Sequence, residues 1–310
     1  MIVLKNVSKS LQGKQILKRI SFHISENETV GIIGRNGAGK TTLLHVMTGL
    51  LGAEEGFLRV GNAEYLIADR QVLKTTAFVS GDKSQLWEDI RIRDSLAHAV
   101  KMYGISPNEA EKRFLELDKI FEIQPFLDAL PQTLSLGERM RCELVYALLS
   151  APKLLLLDEA MIGLDVSMKY RIMEYFAQQK KTQERTILYT SHNFGEIEAL
   201  CDRILFMDEG RIIFDGSIQQ MMETFAPLYQ MEVAIGDKIP DFEDLPLEKF
   251  VITNQNVRII YDKQKIDTTQ ILKHIMAQTK ILDVRLSEPN LEEIIMKIYD
   301  LGFHKNMMQV

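Results

Sequence analysis

The chain has 310 residues, of which 46% are apolar and 26% charged, and its formal net charge is −6 at pH 7. This length is enough for one large or two ordinary domains with a buried core. The acidic balance, without a long basic run, argues against nucleic acid as a partner. No apolar stretch approaches the roughly 20 residues that span a bilayer, so any membrane role is expected to come through another chain.

Strand-like segments begin the chain, at residues 1–7, 15–24 and 29–33. The run E-T-V-G-I-I-G at residues 28–34 is short and apolar, which is typical of a buried parallel strand. Residues 42–50 then space their apolar side chains as a helix does. Strand and helix enclose the glycine-rich octapeptide G-R-N-G-A-G-K-T at residues 34–41.

This octapeptide has the pattern of a phosphate-binding loop. Its three glycines let the backbone turn so that successive N–H groups point at phosphate oxygens. In this pattern Lys40 reaches the β- and γ-phosphates and the Thr41 hydroxyl ligates Mg²⁺. The amino terminus of the following helix also favours phosphate. We therefore predict nucleotide contacts at Gly34, Arg35, Asn36, Gly37, Ala38, Gly39, Lys40, Thr41 and Thr42.

Further along, residues 57–80 contain strand-like stretches and residues 92–149 change to helical periodicity. The four-leucine run that ends in Asp158 has no polar alternation, so we predict a strand buried on both faces. An aspartate at the end of such a strand, beside a phosphate loop, can hold Mg²⁺. The adjacent Glu159 is placed to polarise an attacking water, although it fits an ordinary strand-end acid as well.

Another buried strand is predicted at residues 186–191, with His192 directly after it. Ligands gather at the carboxyl ends of parallel strands, so His192 is a candidate for the site, with a surface histidine as the alternative. Ser135 and Glu138 have the spacing of a capping box, which is compatible with phosphate at the same helix terminus. Cys142 and Cys201 lack metal-ligand spacing and are interpreted as reduced core thiols.

After about residue 222 the motifs stop. Residues 226–310 alternate strand-like stretches (230–235, 257–261, 281–286) with helical ones (268–278, 290–301). We predict a first domain at residues 1–222 and a small α+β accessory domain at residues 226–310. Dimer stabilisation and a regulatory contact are both open as roles for this second domain.

In their order along the chain, these motifs resemble those of the ATP-binding-cassette (ABC) transporter ATPases. The signature of that family matches residues 134–138, L-S-L-G-E, and its switch histidine matches His192. The resemblance implies an α/β ABC-type nucleotide-binding domain of the P-loop NTPase class, with a helical subdomain inserted at about residues 85–150. It implies an ATP hydrolase with Mg²⁺ as cofactor. The implied site residues are the catalytic Glu159, His192 and Lys40, the metal ligands Thr41, Asp158 and Gln85, and the nucleotide contacts Ser135, Gly137 and Asp165.

The resemblance also implies partners. Two copies of the chain would form a head-to-tail dimer, in which Ser135 and Gly137 of one copy complete the ATP site of the other. Residues 84–89, 197–202 and 287–293 are similar to bacterial drug-resistance and sodium-extrusion ATPases. Such exporters pair the ATPase with a separately encoded membrane permease, which implies a cytoplasmic protein at the inner face of the membrane. Contacts with the transported substrate belong to the permease.

The sequence departs from the family pattern in four ways. Leu11 stands where an aromatic side chain usually stacks on adenine, and Ala160-Met161 replace the usual Pro-Thr. Glu138 stands where Gln is common, and either Asp82 or Gln85 takes the role of the family's glutamine loop. A soluble ATPase of the same fold without a transport role, and a regulatory module with a decayed ATPase, are the alternatives. Trp87 fits either a core residue or a groove for the membrane partner.

Overall fold

The computed structural model describes residues 1–61, 63–64, 74–182, 185–225, 228–236, 238–242, 244–253, 255–263, 265–287 and 295. The chain divides into two compact units, Met1–Gly216 and Ser217–Val310. Each unit has sheets and an apolar core of its own.

The central feature of the first unit is a six-stranded sheet with the strand order β10-β9-β3-β8-β7-β6. The pairs β3–β9, β3–β8, β7–β8 and β6–β7 are parallel. Every residue of β7, the four-leucine strand, is buried, as its unbroken apolar run predicts. The strands are β3 (Thr29–Gly34), β6 (Thr76–Ser80), β7 (Leu154–Asp158), β8 (Thr186–Thr190), β9 (Arg203–Asp208) and β10 (Arg211–Ser217).

A second, antiparallel sheet has the order β2-β1-β4-β5. Its strands are β1 (Ile2–Leu11), β2 (Lys14–Ile24), β4 (Glu55–Val60) and β5 (Ala63–Glu64). Strands β1 and β2 join through Gln12 and Gly13, both of which have the positive φ of a tight turn. Apolar side chains of β1, β2 and β4 share one buried cluster with those of β3 and β7.

Six helices complete the described part of the first unit, together with two 3₁₀ turns at Gln124–Phe126 and Pro131–Thr133. The helices are α1 (Lys40–Met47), α2 (Ile92–Tyr103), α3 (Pro107–Phe121), α4 (Leu136–Leu149), α5 (Val166–Lys181) and α6 (Phe194–Leu200). Helix α4 packs against α2 and α3, and α5 packs against α6. Among the described helices of both units, none has the length and apolar character that crossing a bilayer requires.

The second unit contains an antiparallel sheet with the order β12-β13-β11-β14. Its elements are α7 (Ile218–Phe225), β11 (Leu228–Ile235), β12 (Leu247–Thr253), β13 (Asn256–Asp262), α8 (Thr268–Met276) and β14 (Ile281–Ser287). Ile271 and Ile275 of α8 share a buried cluster with alternate residues of β11 and β13. Asp267 caps α8. The helix predicted at residues 290–301 lies outside the described residues, except for position 295.

Both cysteines are free and buried, as the sequence predicts. Burial raises the pKa of each thiol to about 12, so the thiolate is disfavoured at neutral pH. Cys201 lies beside Gly31 of β3, where a Cβ would meet its sulfur at 3.2 Å. The two thiols therefore fill the core and are poor nucleophiles.

Candidate nucleotide-binding site

The glycine-rich loop joins the carboxyl end of β3 to α1, and its backbone requires glycine. Gly37 and Gly39 have φ values of 80° and 104°, which side chains with a Cβ rarely adopt. A Cβ on Gly34 would meet the carbonyl oxygen of Met207 at 2.2 Å. Gly39 begins α1, and no described side chain caps this terminus. The first N–H groups of α1 are therefore available to an anion.

Lys40 is held under this loop. Its Nζ donates to the carbonyl oxygens of Gly34 at 2.7 Å and Arg35 at 3.2 Å, and the residue is 6% exposed. Burial lowers the pKa of Lys40, and the nearby Glu159 and Asp158 partly oppose that effect. An ammonium that has lost most of its water gains more from a phosphate than an exposed lysine would.

Asp158 ends β7 beside the loop and is 5% exposed. The hydroxyl of Thr41 donates to its Oδ2 at 2.7 Å, and the hydroxyl of Thr190 donates to its Oδ1 at 2.6 Å. A carboxylate and a hydroxyl oxygen side by side are ligands that suit Mg²⁺, which keeps several positions for water and phosphate. Among the described residues there is no group of three or more His, Cys, Asp or Glu side chains that could hold a metal.

Glu159 and His192 come together at the ends of two neighbouring strands. The Oε1 of Glu159 lies 2.5 Å from the Nε2 of His192. Glu159 has a φ of 54°, and its N–H donates to both the carbonyl and the hydroxyl oxygen of Thr190 at 3.1 Å. A non-glycine residue in this region is uncommon and is held there by its surroundings. Thr190 therefore supports both acids, Asp158 and Glu159.

The signature residues lie at the amino terminus of α4. Ser135 caps the helix, and its N–H and hydroxyl donate to Oε2 of Glu138 at 2.8 and 2.7 Å. A Cβ on Gly137 would meet the carbonyl oxygen of Gly163 at 2.4 Å, so glycine is needed there. Asp165 caps α5 through the N–H of Met168. No described hydrogen bond joins Ser135, Gly137 or Asp165 to the glycine-rich loop of the same chain.

The two candidates for the glutamine loop have different surroundings. Asp82 follows Gly81, whose N–H donates to the carbonyl oxygen of Asp158 at 2.8 Å. Gln85 instead donates its backbone N–H to the buried carboxylate of Glu143 in α4. The Nε2 of Gln85 is buried without a hydrogen-bond partner among the described residues. The backbone next to Asp82 is thus bonded to the strand end that carries Asp158, and the backbone of Gln85 is bonded to α4.

The remaining predicted nucleotide contacts lie around the loop. Arg35 and Asn36 are exposed at its tip, Ala38 is buried, and Thr42 is half-buried in α1. Leu11, 36% exposed, ends β1. The N–H of Gly210 donates to the carbonyl of Ala38, and the carbonyl of Gly210 accepts from Lys18 of β2. This links the β1–β2 sheet to the loop.

Sequence reasoning missed three polar residues that shape the site. Thr190 donates to Asp158 at the end of β7, and Glu143 accepts from the loop at residues 84–86. Glu196 accepts from Ser191, the residue before His192. Thr190 and Glu143 stand in otherwise apolar runs, where a lone polar residue was the available signal, whereas Glu196 has other polar residues around it and gave none. Burial raises the pKa of the Glu143 carboxyl, although hydrogen bonds from the loop at residues 84–86 oppose that rise.

Together the fold and this site define a P-loop nucleoside triphosphatase. The family model of the ABC transporter ATPases (ABC_tran) matches residues 17–162. NatA, an ABC transporter ATP-binding protein of Bacillus subtilis, is 29% identical over 72% of this chain and 92% of its own. LnrL, the linearmycin resistance ATP-binding protein of the same organism, is 27% identical over 96% of this chain and 98% of its own. The Synechocystis protein named "Putative ABC transporter ATP-binding protein sll0385" is 30% identical over 67% of this chain and 71% of its own.

The same family appears among solved structures. A dimeric post-hydrolysis structure of the ATP-binding cassette MJ0796, bound to ADP and Pi, covers 70% of this chain and 99% of its own, at 25% identity and a TM-score of 0.64. Other relatives at similar identity are named as import ATP-binding proteins. The chain belongs to the ABC transporter ATPase family: it is an ATP-binding and ATP-hydrolysing subunit of a transporter. This confirms the predicted fold class and enzyme class.

Proposed function

We propose that the chain is the ATPase subunit of an exporter. The observation that carries this proposal is the alignment with the linearmycin resistance ATP-binding protein over 96% of the chain, which takes in most of the second unit. A transporter that confers resistance would do so by removing the compound, so the direction of transport would be outward. The chain would lie in the cytoplasm against the inner face of the membrane, attached through a separately encoded permease. Residues 226–310 would be the accessory domain of the subunit.

Hydrolysis would take place where β3, β7 and β8 end. The loop amides and Lys40 would bind the β- and γ-phosphates, and Thr41 and Asp158 would hold Mg²⁺. That ion, when bound, supplies positive charge against the phosphate oxygens. Glu159 would orient and deprotonate the attacking water, and His192 would contact the γ-phosphate from its place beside Glu159. The 2.7 Å contact between Thr41 and Asp158 supports this assignment.

The γ-phosphate site would be completed by a second copy. Ser135 and Gly137 form the start of a 14-residue helix whose dipole favours an anion, and no described hydrogen bond ties them to their own phosphate loop. A two-fold head-to-tail dimer would bring them to the ATP of the partner, with Asp165 nearby. The dimer would therefore close only when nucleotide is present.

Glu138 should weaken this closure. Its carboxylate accepts from the N–H and hydroxyl of Ser135, the same donors that the γ-phosphate would use. Hydrogen bonds from Ser135 also lower the pKa of Glu138, so the carboxylate stays charged at neutral pH and repels phosphate. Glutamine keeps the capping box but removes the charge. We expect Glu138→Gln to tighten ATP-dependent dimerisation roughly two- to fivefold, the size of a charge effect at a helix terminus.

Analytical sedimentation at a range of ATP concentrations would measure the dimerisation, and every protein would also carry Glu159→Gln so that ATP is not hydrolysed. Glu109→Gln is the matched control, because Glu109 lies at the same position after the capping Ser106 of α3. Weaker or unchanged dimerisation in Glu138→Gln would contradict the assignment of Ser135 to the γ-phosphate.

Export is tested in cells that produce the chain together with its permease. We expect these cells to tolerate higher concentrations of at least one compound in a panel of membrane-active antibiotics and Na⁺ than cells carrying Glu159→Gln. Accumulation of the same compound should fall in parallel. ATP-dependent accumulation of a compound inside the cells, instead of its loss, would assign the chain to an importer.

A further inference from the structure

A buried carboxylate lies under the switch histidine and is not part of the hydrolytic site described above. Glu196 stands in α6 and is 5% exposed. Three side chains donate to it. The hydroxyls of Tyr189 and Ser191 donate to Oε2, the latter at 2.6 Å, and the Nζ of Lys169 donates to Oε1 at 2.9 Å. These donors come from β8, from the loop after it, and from α5.

The network fixes both neighbours of His192. Ser191 is tied to Glu196 through its hydroxyl, and the same oxygen accepts from the N–H of Asn193 at 3.0 Å. The side-chain oxygen of Asn193 accepts in turn from the N–H of Glu196 at 3.3 Å. The side chains of both neighbours of His192 are therefore hydrogen-bonded to Glu196, and the backbone N–H of Asn193 is linked to it through the Ser191 hydroxyl.

The His192 ring itself has little else to hold it. Its side chain is 48% exposed, and among the described residues its one ion-pair contact is with Glu159, at 2.5 Å. A cavity of about 170 Å³ lies between these groups, lined by Glu159, Ile162, Lys169, Ser191, His192 and Glu196. The ring has room to turn away from Glu159, so its position depends on the loop that carries it.

The hydrogen bonds also keep the Glu196 carboxylate ionised although it is buried. Burial raises the pKa of Glu196, but hydrogen bonds from Ser191, Tyr189 and Lys169 together outweigh it and leave the pKa below its usual value. Conversely, burial and the adjacent carboxylate raise the pKa of Tyr189, so its hydroxyl remains a donor. A fully satisfied buried network of this kind is rigid, and losing one member leaves the others unpaired.

We propose that Glu196, with Lys169 and Tyr189, is a positioning residue that holds His192 against Glu159 for hydrolysis. This inference rests on the proposed role of His192. Glu196 does not touch the nucleotide in this arrangement and acts only through the loop at residues 191–193. Its removal should therefore affect the chemical step and leave ATP binding unchanged.

The test is Glu196→Gln in the full-length chain, with ATP hydrolysis measured over a range of ATP concentrations. Glutamine keeps the size of the side chain but removes the charge that pairs with the Lys169 ammonium. Its NH₂ cannot accept from the Tyr189 and Ser191 hydroxyls, so both of these hydrogen bonds must reverse their direction. We expect kcat to fall about tenfold, because small displacements of a catalytic group cost this much or more, while the KM for ATP changes less than twofold. Tyr189→Phe, which removes one donor and keeps the ring, should give a smaller loss of about threefold.

A double-mutant cycle separates positioning from general structural damage. In a His192→Ala background, Glu196→Gln should lower kcat less than twofold further, because the group it positions is gone. An equal tenfold loss in both backgrounds, or an unchanged kcat in Glu196→Gln, overturns the inference. If His192→Ala alone keeps the wild-type rate, the proposed role of His192 is wrong and the inference falls with it.

Lys180→Met is the matched control. Lys180 lies on the same helix as Lys169 and forms an ion pair with the exposed Asp202, at 2.6 Å. Its replacement should leave kcat within twofold of wild type. A tenfold loss in this control as well would show that any ion pair on α5 matters, which overturns a specific role for Glu196. If Glu196→Gln does not fold, Tyr189→Phe and its cycle with His192→Ala decide the question by the same criteria.

Discussion

Glu159→Gln is expected to lower the rate of ATP hydrolysis by roughly 10²–10⁴-fold while ATP binding stays intact. The side chain lies at the end of β7, with Oε1 at 2.5 Å from His192, and it does not take part in the hydrogen bonds that hold Lys40. Glutamine keeps the size and polarity of the group but cannot accept a proton from water. The loss should therefore appear in kcat alone.

Phosphate release under single-turnover conditions and binding of a fluorescent ATP analogue would measure these two quantities. Glu174→Gln, an exposed acid on α5, serves as the control and should change neither. An unchanged hydrolysis rate in Glu159→Gln would refute the assignment of the catalytic base. Loss of ATP binding in that variant would show instead that Glu159 supports the loop.

Lys40→Met should weaken ATP binding by roughly 10²-fold, the value of a lost charge-assisted hydrogen bond in a shielded site. Lys40 is almost fully buried, and its ammonium donates to two loop carbonyls and lies near the charges of Glu159 and Asp158. Methionine keeps the apolar stem and removes the charge. Since Lys40 is assigned to the β- and γ-phosphates, affinity for ATP should fall far more than affinity for AMP.

Calorimetric titration with ATP and AMP would distinguish these effects. Lys119→Met, an exposed lysine in the last turn of α3, is the control. Equal losses for ATP and AMP would mean that the substitution damages the whole site and that Lys40 has no specific contact with the outer phosphates.

Several features could be read from the sequence because each depends on neighbours in the chain. The glycine-rich loop is one, since its φ values demand glycine at Gly37 and Gly39. The buried strand β7 is another, because four consecutive leucines leave no face for solvent. The capping box of Ser135 and Glu138 is a third, and both of its hydrogen bonds are present.

The glutamine loop shows where sequence reasoning was insufficient. Position alone left Asp82 and Gln85 as equal candidates. The N–H of Gln85 donates to Glu143, 58 positions away, and nothing in the sequence around Glu143 indicates which residue it will bind. The role of either residue toward Mg²⁺ remains a prediction.

By itself, the sequence determined the phosphate loop, the buried strands and the order of the motifs, because these are patterns of local backbone geometry and periodicity. The class of protein followed from the resemblance of those motifs, in that order, to a known family. Only the tertiary structure decided which polar groups meet. The contact of Thr41 with Asp158 joins residues 117 positions apart, and that of Thr190 with Asp158 joins residues 32 apart. The Glu196 network likewise depends on the packing of α5, α6 and β8. Such contacts arise when parallel strands end at one edge of a sheet and bury their polar ends together, where each must find a partner.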